Sequence, residues 1–344
     1  MERVIRSYAA EKPQLPASVV TLGSFDGVHL GHQALLERTT AIARRLGMPS
    51  VAYTFDPHPT KVFSPERASP TLMALDERVR CLLAHEIDLV FVQTFDVAFA
   101  DLLPEYWVAE HLVGPLRPQH VVVGHNFTYG RGGVGDVASL EAAAAHHGFA
   151  LDVVAPVSVG ADVVSSSRVR ALLSSAGDVA GARALLGRHF AVTGRVVRGD
   201  ARGRSIGFPT LNVEPAHELL PRAGVYASRV EVVGAGGEGH EGRTGYEGHG
   251  GTLLPAVSNI GARPTFDGEG VRVETHILDF RGALYGADVR VELVERIRDE
   301  QRFGSVEALV AQITADVAAA RRLLLEPSET TSRTANGTTS GTER

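Results

Sequence analysis

The segment Gly23-Ser24-Phe25-Asp26-Gly27-Val28-His29-Leu30-Gly31-His32 puts two histidines three residues apart at the end of a glycine-rich turn. The turn follows a β-branched run and opens an amphipathic stretch, so it lies where a strand hands over to a helix. A helix N-terminus offers unpaired backbone N–H groups and the positive end of a dipole, which together suit phosphate. On that first turn His29 and His32 share a face and could both donate to phosphate oxygens. Neither needs to be a base, because transfer at phosphorus is catalysed mainly by positioning and charge stabilisation. Taken alone, the same spacing also fits a tight turn with two surface histidines.

Two further clusters carry chemistry of the same kind. In Ser165-Ser166-Ser167-Arg168-Val169-Arg170, serine hydroxyls, helix N-terminal amides and a guanidinium would converge on one anion. An ordinary serine N-cap beside a solvated arginine would read the same way. His58, between Pro57 and Pro59, sits in a stiff turn after a strand and ranks below the other two histidines. In the second half, Gly194–Asn212 leaves one strand and enters another through a loop rich in glycine and arginine, including Gly203 and Gly207. Glycines allow close backbone approach to phosphate and arginines supply charge, although a mobile hairpin has the same composition. It is not a Walker loop, since GxxxxGK[ST] is absent. Downstream, Glu274 lies in a strand pattern two residues after Arg272, its simplest ion-pair partner.

The elements that must position these residues fall into two groups. From Ser18 to about Leu173, short β-branched runs (SVVTLG, SVAYTF, DLVFVQTF, HVVVG, LDVVAPV) alternate with helical patterns such as HQALLERTTAIARRLG, closed by Gly47. This alternation predicts βαβ units and a doubly wound parallel sheet. After a helical segment around Asp178–Leu186 come FAVTGRVVRG, GFPTLNVEP, GVYASRVEVV, PAVSNIG, VRVETHILDF and DVRVELVERIR, then one helix, SVEALVAQITADVAAARRLL. That order predicts an antiparallel barrel or sandwich with a terminal helix. Val233–Gly251 reads as a flexible glycine-rich insertion at a hairpin tip, and residues 326–344 read as a disordered tail. The resulting division is 1–186, 187–325 and the tail.

Composition bounds the function. A chain of 344 residues is long enough for two cores. With 44% apolar and 22% charged residues it reads as a soluble globular protein, and no apolar run approaches the roughly 18–20 residues of a membrane span. The N-terminal segment lacks the apolar stretch of a secretory signal, and Cys81 is the single cysteine, which points to the cytoplasm. A net charge of −6 argues against a general nucleic-acid binder. Nothing asks for an obligate protein partner; weak or transient self-association stays open. Cys81 and Trp107 read as core, and His146 and His147 close a helix before Gly148 without metal-ligand spacing.

The motifs resemble a known family. GSFDGVHLGH looks like the HxGH nucleotidylyltransferase superfamily and, more narrowly, the bacterial riboflavin kinase/FAD synthetase family. TFDPHP (54–59), VGHNFTYG (123–130) and SSSRVR (165–170) follow in that family's order, the last where SSTRIR is usual. The second half adds GFPTLN (207–212), PRAGVYA (221–227), SNIGARPTF (258–266) and VETHILDF (273–280). The resemblance covers roughly residues 18–324. It implies a Rossmann-like FMN adenylyltransferase domain and a β-barrel riboflavin kinase domain, with ATP as co-substrate, riboflavin and FMN as substrates, FMN and FAD as products, and Mg²⁺ as cofactor. By match, Gly23, Phe25, Asp26, His29, His32, Asn126, Ser166, Ser167 and Arg168 would bind the adenylyltransferase nucleotide. Gly203, Gly207, Thr210 and Asn212 would bind the kinase nucleotide, Thr210 and Asn212 would meet the metal, and Glu274 would be the general base. Arg298 and Phe303 are candidates for the flavin side.

Overall fold

In the computed structural model, residues 3–6, 15–199, 202–234, 251–265 and 268–325 are described. The first half is a six-stranded parallel sheet of order β1-β4-β3-β2-β5-β6, built from β1 (Val4–Arg6), β2 (Ser18–Leu22), β3 (Ser50–Asp56), β4 (Leu89–Thr94), β5 (Pro118–Gly124) and β6 (Ala150–Val154). Every residue of β2 is buried, as a central strand covered on both faces must be. Alternate residues feed two cores: Val20, Leu22, Tyr53, Val121 and Val123 pack with Trp107 and Leu112 on one face. Val19, Ala52, Val90 and Val122 pack with Leu36, Ile42 and Leu82 on the other. Cys81 is buried in this second core, as its helical pattern implied.

The chain leaves β2 toward β3 on one side and later returns to place β5 on the other, so β2 is the switch point of the sheet. Ligands of open parallel sheets bind beyond the carboxyl ends of the strands at such a point. The loops after β2, β3 and β5 carry the histidine motif, His58 and Asn126 respectively, so the topology sets the three side by side. A short hairpin, β7 (Ser158–Val159) and β8 (Asp162–Val163), leads into the serine-rich helix Ser166–Ala171.

The second half is a closed antiparallel barrel, which settles the barrel-or-sandwich alternative. Its strands are β9 (Phe190–Val197), β10 (Leu211–Pro215), β11 (Gly224–Gly234), β12 (Leu254–Thr265), β13 (Gly268–Ile277) and β14 (Asp288–Arg298), in the order β10-β13-β12-β11-β14-β9. Period-2 alternation sorts the side chains: Val213, Val273, Tyr226 and Ile260 point to the interior, where Ser228, Ser258 and Thr275 link by buried hydroxyl contacts of 2.8 Å. The residues between them face outward, beneath the terminal helix Val306–Leu325.

The two halves share a packed seam. Leu72, Val169, Leu173 and Leu186 belong to the same apolar cluster as the barrel interior. Glu77 of the helix Leu75–Ala84 pairs with Arg290 of β14 at 3.1 Å, both nearly fully buried, and Glu218 accepts from Lys61 at 2.8 Å. Of the glycine-rich insertion expected over Val233–Gly251, Val233 and Gly234 instead continue β11, with Gly234 paired to Asp288 of β14. Residues 235–250 lie outside the described residues, as does the tail 326–344, and the flanking strands β11 and β12 pair antiparallel.

Candidate functional site

The loop after β2 is an unusual piece of backbone. Phe25 and the β-branched Val28 both have positive φ (50° and 39°), a region that costs such residues energy and persists only when neighbours hold it. The holding contacts are specific. Asp26, 2% exposed, accepts from the Leu72 amide at 2.9 Å and from the Arg170 guanidinium at 2.5 Å, so its carboxylate anchors the loop inward. Its carbonyl accepts from Ser166 Oγ at 2.9 Å. Arg188 donates to the carbonyls of Gly27 (2.8 Å) and Val28 (3.0 Å), and Gln33 Nε2 donates to Val28 as well. Arg78 ties the ends of β2 and β3 together through the Ser24 and Phe55 carbonyls.

This scaffold presents the histidine pair. His29 is the N-cap of the helix Leu30–Leu46, and its Nδ1 accepts the His32 amide at 3.3 Å. Nδ1 is therefore the unprotonated nitrogen and Nε2 carries the hydrogen, leaving an N–H to donate elsewhere. The two rings stack at 3.7 Å between centroids, and Phe25 meets His32 edge-on at 5.3 Å. Burial pushes His29 down to about 4, with Arg188 and Arg170 adding to the shift. Burial likewise holds His32 well below the ordinary range, reinforced by His29, Arg188 and Arg78. His32 Nδ1 is enclosed and has no partner among the described residues. Both imidazoles are thus held toward the neutral form at physiological pH, in which each still carries one N–H.

The other sequence-stated residues lie around this loop in different roles. Gly23 leaves room for Phe25, whose ring would stand 3.2 Å from a Cβ at that position. Ser165, rather than Ser166 or Ser167, caps the helix Ser166–Ala171, and Arg168 pairs with Asp162 at 3.0 Å. Asn126 is exposed past β5. His58 caps the short helix Pro59–Phe63 by accepting the Thr60 amide, and burial lowers its pKa.

The second site is built on register. Asn212 of β10 faces Glu274 of β13, which faces Asn259 of β12, which faces Val225 of β11, which faces Arg298 of β14. These five form one row across the outer wall of the barrel, and directly opposed side chains on such a row are near neighbours. They line a cavity of about 460 Å³ between that wall and the terminal helix, together with Gly203, Phe208, Thr210, Arg272, His276 and Phe303. A volume of that order holds a nucleotide-sized or drug-sized ligand. Glu274 lies 3.6 Å from Arg272, the strand ion pair considered from sequence, yet remains 38% exposed toward the cavity. Gly203 is required by contact, since a Cβ there would sit 2.2 Å from the Phe208 carbonyl oxygen; Gly207 adopts φ 89°. Arg298 donates to both oxygens of Asp316 on the terminal helix and lies over the Phe303 ring, so both flavin-side candidates line the cavity.

Sequence reasoning did not single out Asn259, Asp316 or Arg188. Asn259 lies in a quoted motif, and the period-2 alternation that puts Glu274 outward, paired with strand register, would have found it. Arg188 and Asp316 act across long sequence separation, which no local pattern reports.

Comparisons with known proteins find a match in each half of the chain. A family model described as FAD synthetase matches residues 11–168, and one described as riboflavin kinase matches residues 186–324. The chain is 39% identical over 303 residues to the bifunctional riboflavin kinase/FMN adenylyltransferase of Escherichia coli strain K12, covering 88% of this chain and 91% of that protein. It is 37% identical over 322 residues to the protein of the same name from Pseudomonas fluorescens, covering 93% and 97%. A crystal structure from Streptococcus pneumoniae named macrolide-efflux protein aligns with a TM-score of 0.77 and 31% identity over 93% of this chain and 99% of that one. No described helix of this chain is long and apolar enough to cross a membrane. The chain belongs to the bifunctional riboflavin kinase/FMN adenylyltransferase family.

Proposed function

We propose that the chain makes FAD in two steps at two sites. Riboflavin and ATP give FMN and ADP on the barrel wall; FMN and a second ATP give FAD and pyrophosphate above the parallel sheet. The observation that supports this most is that the two motif sets fold into two separate sites, each within its own family match. We place the division between the modules at 186/187, where the helix Val179–Leu186 ends on Gly187.

In the kinase step, Glu274 takes the proton from the ribityl primary hydroxyl as that oxygen bonds to the γ-phosphorus and the bond to ADP breaks. Its exposure to the cavity and its place between Asn212 and Asn259 suit that task. Gly203 and Gly207 let the loop backbone approach phosphate. The Thr210 hydroxyl and Asn212 carbonyl are hard oxygen donors on the same cavity wall, which fits Mg²⁺ held by few protein ligands. That ion would neutralise phosphate charge.

In the adenylyl step, an FMN phosphate oxygen attacks the α-phosphorus of ATP and pyrophosphate leaves. His29, through Nε2–H, and His32 donate to phosphate oxygens at the helix N-terminus, and Asn126, Ser167 and Arg168 complete the rim. Gly23, Phe25, Asp26 and Ser166 shape and hold the loop. Glu274→Ala should abolish FMN formation and spare FAD synthesis from supplied FMN, while His29→Ala should do the reverse. Loss of both activities in either variant would count against separate sites.

A further inference from the structure

We infer that Arg188, which lies in the riboflavin kinase match, is a positioning residue for adenylyl transfer in the other module. It rests on the two-site reading above. Arg188 follows Gly187 at the junction between the modules, and its guanidinium reaches back to donate to Gly27 and Val28, the two carbonyls immediately before His29. A third contact, to the Leu186 carbonyl at 3.3 Å, fixes the guanidinium on its own side of the junction. Gln33 repeats the bridge, donating to Val28 at 2.9 Å and Leu186 at 2.7 Å.

Two consequences follow from this geometry. Gly27 and Val28 both have positive φ, so the carbonyls Arg188 grips are those of the left-handed turn that delivers His29 to its cap position. Releasing them lets the turn relax, and the histidine pair moves off the helix end. The guanidinium is also a fixed positive charge beside both imidazoles. The charged and titratable groups facing His29 are Arg188, Arg170 and His32; those facing His32 are His29, Arg188 and Arg78. Arg188 acts on both, so it discourages protonation of the pair as a whole.

The test compares Arg188→Met and Arg188→Lys with the wild-type full chain, measuring both reactions in each protein. Arg188→Met should lower kcat for FAD formation from FMN and ATP by about 10²-fold, as expected when reacting groups shift by about 1 Å. Riboflavin phosphorylation in the same chain should stay within about twofold, the scatter expected for a distant site. Between pH 7 and pH 5 the adenylylation rate of Arg188→Met should fall more steeply than wild type, whereas Arg188→Lys, which keeps the charge, should follow the wild-type profile even with a reduced kcat. FAD formation by Arg188→Met at the wild-type rate would overturn the inference. So would equal losses in both reactions, or a Met variant whose pH profile matches wild type. Absence of FAD formation by the wild type itself would instead refute the two-site reading.

Discussion

Asp316→Ala should undock the terminal helix from the barrel and impair the kinase site alone. Asp316 is 3% exposed and accepts from Arg298 Nε at 2.9 and 3.1 Å, from Arg298 Nη2 at 2.7 Å, and from Gln312 Nε2 at 2.9 Å. Removing one partner of a buried pair costs about 3–5 kcal/mol because the other charge is left uncompensated. Arg298 keeps the Asp299 carbonyl and borders the cavity, so we expect the lower end, about 3 kcal/mol. Asp316 and Ala320 are the fully buried residues of this helix; Val317 and Leu324 pack partly buried, and Arg321 pairs with Asp279 at the surface, so Asp316 is its main buried polar anchor. Local opening is then the cheapest response, and about 3 kcal/mol corresponds to roughly a 10²-fold loss of protection. Hydrogen exchange of residues 306–325 should show that loss with the barrel strands unchanged. The riboflavin KM should rise, because Leu309, Ile313 and Val317 line the same cavity, and FAD formation from supplied FMN should not change. Wild-type protection in the variant helix, or an equal loss across the parallel-sheet domain, would refute the reasoning.

Further outcomes follow from single contacts. Gly203→Ala drives a Cβ to 2.2 Å from the Phe208 carbonyl oxygen, so the loop must open; the kinase rate should fall by about 5- to 150-fold for a strain of about 1–3 kcal/mol, while adenylylation is spared. Burial pushes His29 and His217 each down to about 4 in the fold. Below pH 6.5 the unfolded chain takes up protons that the folded chain refuses, so stability is full above that pH and falls toward pH 4, by roughly 2 kcal/mol per histidine at pH 5. Both ring nitrogens of His217 lack a partner among the described residues, so His217→Leu should raise the denaturation midpoint, and by more at pH 5 than at pH 7. A variant no more stable than wild type at pH 5 would contradict that.

Much of the fold was legible because its signals are local. The β-branched runs and glycine stops placed β2 to β6 within a few residues, and DVRVELVERIR matches β14 in full. The three-residue β1 is too short for any periodicity to fix its bounds; its pairing with β4 defines it. GFPTLN was expected to run as a strand from Gly207, but the strand begins at Leu211, because Gly207 takes a left-handed turn that closes Phe208 back on Gly203. Motifs pointed to residues that the fold sets at a helix end or on the cavity wall, as with His29, Asn212 and Glu274. Asp26 shows the limit: sequence put it in the nucleotide motif, while the fold turns its carboxylate toward Arg170, 144 residues away. Tertiary pairs of that separation leave no local trace.

The most direct measurement is a chromatographic time course of the wild-type chain with riboflavin, ATP and Mg²⁺. Two sites acting in sequence require FMN to appear first and FAD to follow at its expense, with ADP and pyrophosphate both released. FMN that accumulates without FAD, or riboflavin left unchanged, would contradict that claim.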